Sequence, residues 1–287
     1  MATEAPDVDA SERMLEKIQQ IAAAGDLVLL QRALKQLDTK TVPLDNASNH
    51  DQLELQNEQW LIQGAFDKAA EAGHLGLVAY LLEQRSCVPS SFAVRGAVKR
   101  KHWGVVDLLL RSGWDINQPI DGGNTLPVMF QEHVQWLLEH GADPMIRSVG
   151  KNNHMASQAG RFSPTSVLRL LRAHGADFGH SNAIHEAAAI GGDVRLEAMA
   201  YLLDEALVPI NMRQWEWDDE FFSANSGSGN FGTALHAAVR QRKAACVQFL
   251  LERGADPLVE DTTGQTPFDL ARHIGFEEGL ALLERSN

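Results

Sequence analysis

The chain has 287 residues, of which 44% are hydrophobic and 22% charged, and this composition excludes an intrinsically disordered protein. It carries 38 acidic and 25 basic residues, and a net charge of −13 disfavours a nucleic-acid-binding protein. Cys87 and Cys246 are too far apart for a CxxC metal pair, and no apolar run reaches the roughly 20 residues that cross a bilayer. The acidic first ten residues predict no secretory leader, so we expect a cytoplasmic or nuclear protein without nucleic-acid or membrane partners.

A pair of leucines recurs along the chain, with intervals of 28, 28, 33, 32, 48 and 32 residues between the pairs. A period near 33 residues indicates a repeated supersecondary unit that carries insertions. Ala33-Leu34 lies another 48 residues before the first pair and predicts an additional N-terminal unit. The pairs are Leu81-Leu82, Leu109-Leu110, Leu137-Leu138, Leu170-Leu171, Leu202-Leu203, Leu250-Leu251 and Leu282-Leu283.

Helix-stop and helix-start signals surround these pairs. Threonine before a first helix, as at Thr233 and Thr266, predicts a cap, and Pro267 suits the first helical position. Small residues such as those at 187–189 and 237–238 mark first helices, where a small face lets neighbours approach closely. Glycine ends a helix without a Cβ clash, and glycines follow the leucine pairs at Gly113, Gly141, Gly175 and Gly254.

These signals predict an all-α fold of about seven to eight helix-turn-helix units, some of them degenerate. We expect an N-terminal tail over 1–13 and a single array over 14–287, with insertions at about 38–60 and 211–231. The interval from Thr125 to Val134 is short enough to clip one first helix by about a turn. Residues 146–163 contain no clear helix start.

The run from Thr233 to Ala238, followed by Val247 to Asp256, resembles a full ankyrin repeat. Stretches 66–82, 94–117 and 266–283 are similar to it, with weaker signatures. The resemblance implies an ankyrin-type solenoid of antiparallel helix pairs and protruding loops with a concave groove. It also implies a non-catalytic scaffold that binds a protein partner through the groove and loop tips, because ankyrin-like arrays overwhelmingly bind proteins. We expect no cofactor.

The resemblance places the ends of the first helices at the groove, where two basic clusters fall. An acidic peptide would gain long-range steering and charge-assisted hydrogen bonds there. The alternative is a solvated helix end, because cations near a helix C-terminus also oppose the helix dipole. The candidate partner-binding residues at these positions are Lys99, Arg100, Lys101, Ile190, Arg240, Gln241, Arg242 and His273, with Glu71, Ala189 and Ile274 at equivalent helix ends.

Aromatic side chains provide the second candidate surface. Four of them lie in the 211–231 insertion, interleaved with acidic residues. Large apolar rings are not expected to remain fully exposed to solvent. They either fold back over neighbouring units as a lid or contact a partner. These residues are Trp215, Trp217, Phe221 and Phe222, and Trp114 is expected at an exposed loop tip.

Two histidines, His185 and His236, occupy a helix-start position, where the ankyrin resemblance implies hydrogen bonds to the backbone of adjacent loops. The alternative is an acid–base pair that lines a groove pocket together with Asp269 and is covered by the 211–231 insertion. That pocket would make the chain a small-molecule-binding protein or an enzyme. A third hypothesis is an adaptor in a larger assembly, such as a ubiquitin ligase, that acts through the groove itself.

No segment of the sequence matches a catalytic or metal-binding motif together with the structural context that the motif requires. The segment 227–232 fits the GxGxxG spacing, but the acidic run before it does not read as a strand, so we interpret it as a flexible loop. The histidines His174, His180 and His185 cannot share one helix face, and a zinc site needs three or four convergent ligands. We therefore predict no metal site.

Overall fold

The computed structural model describes residues 8–38, 49–120, 125, 131–147, 155–225, 227 and 229–286. In these residues the regular structure is helical, apart from isolated bridges such as the one between Arg213 and Thr233. The predicted all-α class of repeated helix pairs is thus confirmed. Contacts group the chain into two compact units, Met1–Asp115 and Ile116–Asn287, and each is described by itself.

The described residues of the first unit form three helix pairs. Helices α1, α3 and α5 pack side by side as one layer, and each is followed by the second helix of its pair. In the second layer, α4 packs on α6. The helices are α1 (Val8–Ala24), α2 (Leu27–Asp38), α3 (Asn49–Ala72), α4 (Leu75–Arg85), α5 (Ser91–Lys99) and α6 (Trp103–Arg111).

The second unit repeats this arrangement, with α8, α10, α13 and α15 in a layer of first helices. A π-helical turn, Tyr201–Glu205, extends α11, and α12 lies within the 211–231 insertion. The helices are α7 (Val134–Glu139), α8 (Met155–Phe162), α9 (Thr165–Ala173), α10 (Ala183–Ile190), α11 (Asp193–Ala200), α12 (Asp219–Asn225), α13 (Ala234–Arg240), α14 (Ala244–Glu252), α15 (Pro267–His273) and α16 (Glu277–Glu284).

Some boundaries differ from the predicted organisation. Helix α1 already begins at Val8, within the predicted tail of 1–13, and α3 begins at Asn49, within the predicted 38–60 insertion. A polar run can start a first helix when its C-terminal part packs on neighbours, as α3 does on α1 and α5. The single array over 14–287 stays a prediction. The segment predicted to hold a clipped first helix lies outside the described residues, except for the buried Thr125 and the short turn Gln131–His133.

The predicted helix stops and starts are present. Each of the four predicted stop glycines has a positive φ, such as 85° at Gly254. At the start of α15, Thr266 Oγ1 accepts from the Asp269 amide at 3.2 Å, and the Asp269 carboxylate accepts from the Thr266 amide at 3.1 Å. This reciprocal cap satisfies two backbone donors that the helix leaves free.

Small side chains bring the first helices of the second unit together. Ala187 and Ala188 of α10 and Ala238 of α13 are fully buried where these helices pack. Gly160 of α8 approaches α10 so closely that a Cβ there would clash with the carbonyl oxygen of Ala183. The close approach leaves the helix ends side by side on one surface.

A buried arginine also stabilises this layer. Arg195 of α11 donates from Nη1 to the Gly160 carbonyl at 2.8 Å and from Nη2 to the Ser163 carbonyl at 2.5 Å. These carbonyls belong to the last turn of α8 and the residue beyond it. The carbonyl oxygens at the C-terminal end of a helix have no N–H partner within that helix. Burial lowers the pKa of Arg195. The guanidinium therefore caps α8 from the neighbouring pair.

The contact at Gly160 predicts a specific effect of a single methyl group. We expect Gly160→Ala to lower the free energy of unfolding by about 1–3 kcal/mol, because the Cβ forces α8 away from α10. The matched control is Gly76→Ala in α4, where nothing lies within 4 Å of an added Cβ. This control should be neutral or gain up to about 1 kcal/mol. Urea unfolding measures both variants, and equal losses in the two would contradict the close approach.

Candidate functional site

A cavity of about 240 Å³ opens at the ends of α8, α10 and α13 in the second unit. Three predicted partner-binding residues, Ile190, Arg240 and Gln241, line it, as does the helix-end residue Ala189. We call the surface around this cavity the groove. The full lining consists of Arg161, Glu186, Ala189, Ile190, Gln214, Ala237, Arg240 and Gln241.

The cavity combines small apolar residues with charged ones. Ile190, the last residue of α10, is 37% exposed, although it is a large aliphatic side chain. Arg240, the last residue of α13, donates from Nη2 to the Asn230 carbonyl at 3.2 Å and lies 3.8 Å from Asp261 Oδ2. Since Ala189 and Ala237 are short, space remains between the longer side chains.

One carboxylate lies among the lining residues. Glu186 accepts from Arg161 Nη1 at 3.1 Å. Burial raises the pKa of Glu186, and the neighbouring Arg161 opposes this rise. Two guanidinium groups against one carboxylate give the lining a formal charge of +1 when all three are ionised.

The other basic residue of this cluster has a structural use. Arg242 adopts a φ of 55° and donates from Nη1 to the Gly275 carbonyl at 3.2 Å, and its Nη2 donates to the Ile274 carbonyl. Both carbonyls lie just beyond the end of α15, so Arg242 caps that helix from the preceding pair. His273, the last residue of α15, is exposed.

The basic cluster of the first unit is exposed. Lys99, Arg100 and Lys101 lie at the end of α5, and Lys101 has a φ of 61°, which matches Arg242 at the corresponding turn. Arg100 Nη2 donates to Glu71 Oε1 at 2.8 Å. A hydrogen bond from Lys68 is the main cause of a lowered pKa at Glu71, and Arg100 adds to it. One acid of the first unit thus partly neutralises this cluster.

The aromatic residues of the 211–231 insertion fold back onto neighbouring pairs. Trp215 is 8% exposed, and its amide donates to Asn182 Oδ1 at 3.1 Å. Its ring centroid lies 4.9 Å from that of Phe221 and 5.6 Å from that of Trp217. Phe221 and Phe222 both contact Phe231, with ring centroids about 6 Å apart. Of the two alternatives, the arrangement in the structure is the fold-back.

An arginine from an earlier pair fixes the outer edge of this cluster. Arg147 Nη2 donates to Asp218 Oδ2 at 2.6 Å, and its guanidinium carbon lies 5.0 Å from the centroid of the Trp217 ring. The insertion contributes Gln214 to the cavity lining. The expectation of an exposed Trp114 tip is wrong, because Trp114 is buried.

His185 and His236 are buried and bonded to loop backbone, which confirms the predicted structural interaction. His185 Nε2 lies 2.8 Å from the Met212 carbonyl, and His236 Nε2 lies 3.0 Å from the Gln265 carbonyl. His236 Nδ1 accepts from the Thr233 amide at 3.1 Å, so its Nε2 carries the proton that it donates. The carboxylate of Asp269, the third residue of the alternative pocket, caps α15. None of the three lines the cavity.

The loop with GxGxxG spacing is anchored to a neighbouring loop rather than placed after a strand. Ser226 and Ser228 lie outside the described residues. The Phe231 amide donates to Thr262 Oγ1 at 3.0 Å, and the Gln214 amide donates to the Gly232 carbonyl at 3.0 Å. The preceding element is α12, a helix, and a dinucleotide site needs a strand there.

The described part of the chain contains no helix with the length and apolar character needed to span a bilayer. Its His, Cys, Asp and Glu side chains form no group of three or more that could hold a metal ion.

Residues 219–271, which include α12, α13, α14 and the start of α15, match the family model described as ankyrin repeats in many copies. This segment resembles ankyrin repeats. A 42-residue segment is 52% identical to a protein of Escherichia coli (strain K12) that is named as an ankyrin repeat protein, YahD. This segment makes up 15% of the chain, and the match spans about a fifth of the length of that relative, 21%.

Sequence reasoning missed four lining residues of the groove, namely Arg161, Glu186, Gln214 and Ala237. Arg161 carries a signal that was available: it lies 28 residues before Ala189, the same interval that separates the first leucine pairs. Gln214 carries no such signal, because its place depends on how the insertion folds back.

Burial of His185 predicts an acid-labile fold. Desolvation lowers the pKa of His185 from 6.5 to about 4, although its hydrogen bond to the Met212 carbonyl opposes this. The folded state keeps the ring neutral, whereas the unfolded chain takes up a proton near pH 6.5. The contribution to stability is therefore complete above pH 6.5 and is lost as the pH falls towards 4, by about 3 kcal/mol in total.

Urea unfolding at several pH values measures this effect. The wild type should lose more stability than His185→Gln between pH 6.5 and pH 4. Glutamine keeps a donor for the Met212 carbonyl but does not titrate. Parallel pH profiles for the two proteins would contradict a neutral, buried His185.

The fold-back predicts protection of the insertion from proteases. We expect Trp215→Ala to speed thermolysin cleavage within 211–225 by at least about a hundredfold, because loss of a buried tryptophan costs about 3–5 kcal/mol and favours local opening. Trp60→Ala is the matched control, since Trp60 is 79% exposed. Mass spectrometry of the fragments measures the rate. Rapid cleavage of the wild type at the same bonds would contradict the packing of the insertion.

Proposed function

We propose that this ankyrin-repeat chain is a non-catalytic protein-binding module whose partner docks on the groove. The observation that carries the proposal is the exposed Ile190 beside Arg240 and Gln241 at the helix ends. An aliphatic contact surrounded by polar and charged groups is the usual composition of a protein-binding surface. The family resemblance supports the general role, since ankyrin repeats are generally protein–protein interaction modules.

Packing of the first helices supports a rigid binding surface. The groove residues extend from α8, α10 and α13, whose buried faces are locked by alanines and by the Gly160 contact. A surface that is already ordered loses little conformational entropy when a partner binds. The exposed Lys99, Arg100 and Lys101 of the first unit are proposed as a second contact region for an acidic segment of the partner.

The alternative of a small-molecule site or an enzyme is not favoured by any observation on the described residues. A cavity of about 240 Å³ is smaller than the roughly 300–1,000 Å³ of most ligand pockets. The polar atoms that would act as acid or base in His236 and Asp269 already hold backbone groups. Adaptor function through the groove is a special case of the proposal and needs no further site.

We also propose a cytoplasmic or nuclear location. Both cysteines are buried free thiols. Burial raises the pKa of the Cys87 thiol to about 12, which keeps it protonated and unreactive.

Affinity purification from cell extract with the full chain tests the groove as the docking surface. The test variant is Ile190→Asp/Arg240→Glu, which replaces one apolar and one basic side chain at the cavity rim with acidic ones. The matched control is Leu207→Asp/Arg253→Glu, because Leu207 is 73% exposed and neither residue lines the cavity. Both double variants change the net charge equally.

We expect the groove variant to retain at least about tenfold less of the proteins that both the wild type and the control retain. This loss is typical of the removal of a binding hot spot. Circular dichroism and thermal unfolding check that all three proteins are folded. Retention of the same proteins in equal amounts by all three would contradict groove binding.

A further inference from the structure

We infer that the groove cavity binds one acidic side chain, a glutamate or an aspartate, of the partner segment that crosses it. The inference rests on the proposed function, because it names the chemistry by which the groove would select its partner. It concerns the space above Ala189, between Arg161 on one side and Arg240 on the other.

The arrangement of charge favours an anion. Arg161 and Arg240 belong to helices on either side of α10, and Ala189 holds the corresponding place on α10 without a charged group. Glu186 is the opposing charge in the lining.

The guanidinium groups keep donors for a ligand. Arg240 has a single hydrogen bond at 3.2 Å to a backbone carbonyl, and its carboxylate neighbour, Asp261, is 3.8 Å away. Asp261 Oδ1 accepts from the amides of Thr263 and Gln265 at 2.8 and 3.1 Å, and its buried Oδ2, which faces Arg240 at 3.8 Å, makes no hydrogen bond to it. A guanidinium has five N–H donors, so Arg240 can bind a carboxylate while it keeps its bond to Asn230.

The size and polarity of the space fit a side chain. Gln214 and Gln241 contribute amide groups to the lining, and Ala189, Ala237 and Ile190 contribute apolar surface for the methylene groups of the ligand. The volume of about 240 Å³ is large enough to hold one aspartate or glutamate side chain. The formal charge of +1 on the cavity lining is balanced by one carboxylate, whereas the charge of about −2 on a phosphate group would exceed it.

Selection of peptides from a random phage library on the full chain provides the test. We expect retained peptides to share one acidic position, and synthetic versions to lose roughly tenfold to a hundredfold in affinity when that residue becomes Gln or Asn. This comparison changes the peptide alone, so it does not depend on folding of a protein variant. A phosphorylated serine at the same position should bind more weakly than glutamate.

Protein variants locate the interaction. Arg240→Gln and Arg161→Gln should each lower the affinity for the acidic peptide and remove most of the difference between the acidic peptide and its amide analogue. Arg253→Gln is the control, because Arg253 pairs with Asp204 at 3.3 Å and does not line the cavity. It should leave both affinities unchanged.

The outcomes separate the two proposals. Peptides that lose binding on Ile190→Asp but show no acidic preference would overturn the carboxylate site and leave groove binding standing, as would tighter binding of the phosphorylated peptide. An acidic preference that persists in both Arg161→Gln and Arg240→Gln would also overturn the site. If no peptide binds, or if binding ignores Ile190→Asp, both the site and the proposed function fail.

Discussion

Close packing of the first helices of the second unit is the constraint on which its surface depends. The fully buried alanines of α10 and α13 and the absent side chain of Gly160 let these helices lie against one another. Their C-terminal residues then end beside each other. Arg161, Ile190 and Arg240 reach a common surface for that reason, although they are far apart in the sequence.

Loops of the second unit are held in place by hydrogen bonds from the same layer of first helices. His185 of α10 holds the Met212 carbonyl, and Asn182, just before α10, holds the Trp215 amide, so the 211–231 insertion is attached to the first helices at its N-terminal end. His236 of α13 holds the Gln265 carbonyl in the next loop. Helices α10 and α13 thus each fix the loop of the following pair through buried polar contacts, and removal of one partner would leave the other buried without a hydrogen bond.

Repetition made much of this fold predictable. The leucine pairs, the stop glycines and the threonine caps are local signals, so the helix pairs and many of their ends follow from the sequence alone. The start of α3 at Asn49 was missed because a polar run has no apolar period of its own, and the helix there is continued from a packed segment. Trp114 was misplaced because exposure of a loop residue depends on its neighbours rather than on its own type.

The candidate site was only partly predictable for the same reason. Ile190, Arg240 and Gln241 follow from their position at helix ends, whereas the cavity exists because Ala189 is short between two long neighbours. Arg242 shows that charge alone does not predict which residue lines the cavity. It belongs to the same basic cluster of the sequence as Arg240, yet its guanidinium donors cap α15. Backbone conformation, here a left-handed residue at Arg242, decides which of these two cations lines the cavity.

Methyl NMR tests the central claim of groove recognition most directly. The full chain, labelled at alanine and isoleucine methyl groups, is titrated with a peptide selected on it. The account predicts the largest shift changes at Ala189 and Ile190, together with intermolecular contacts between these methyl groups and the peptide. Changes confined to methyl groups outside the cavity lining, with Ala189 and Ile190 unaffected at saturation, would contradict it.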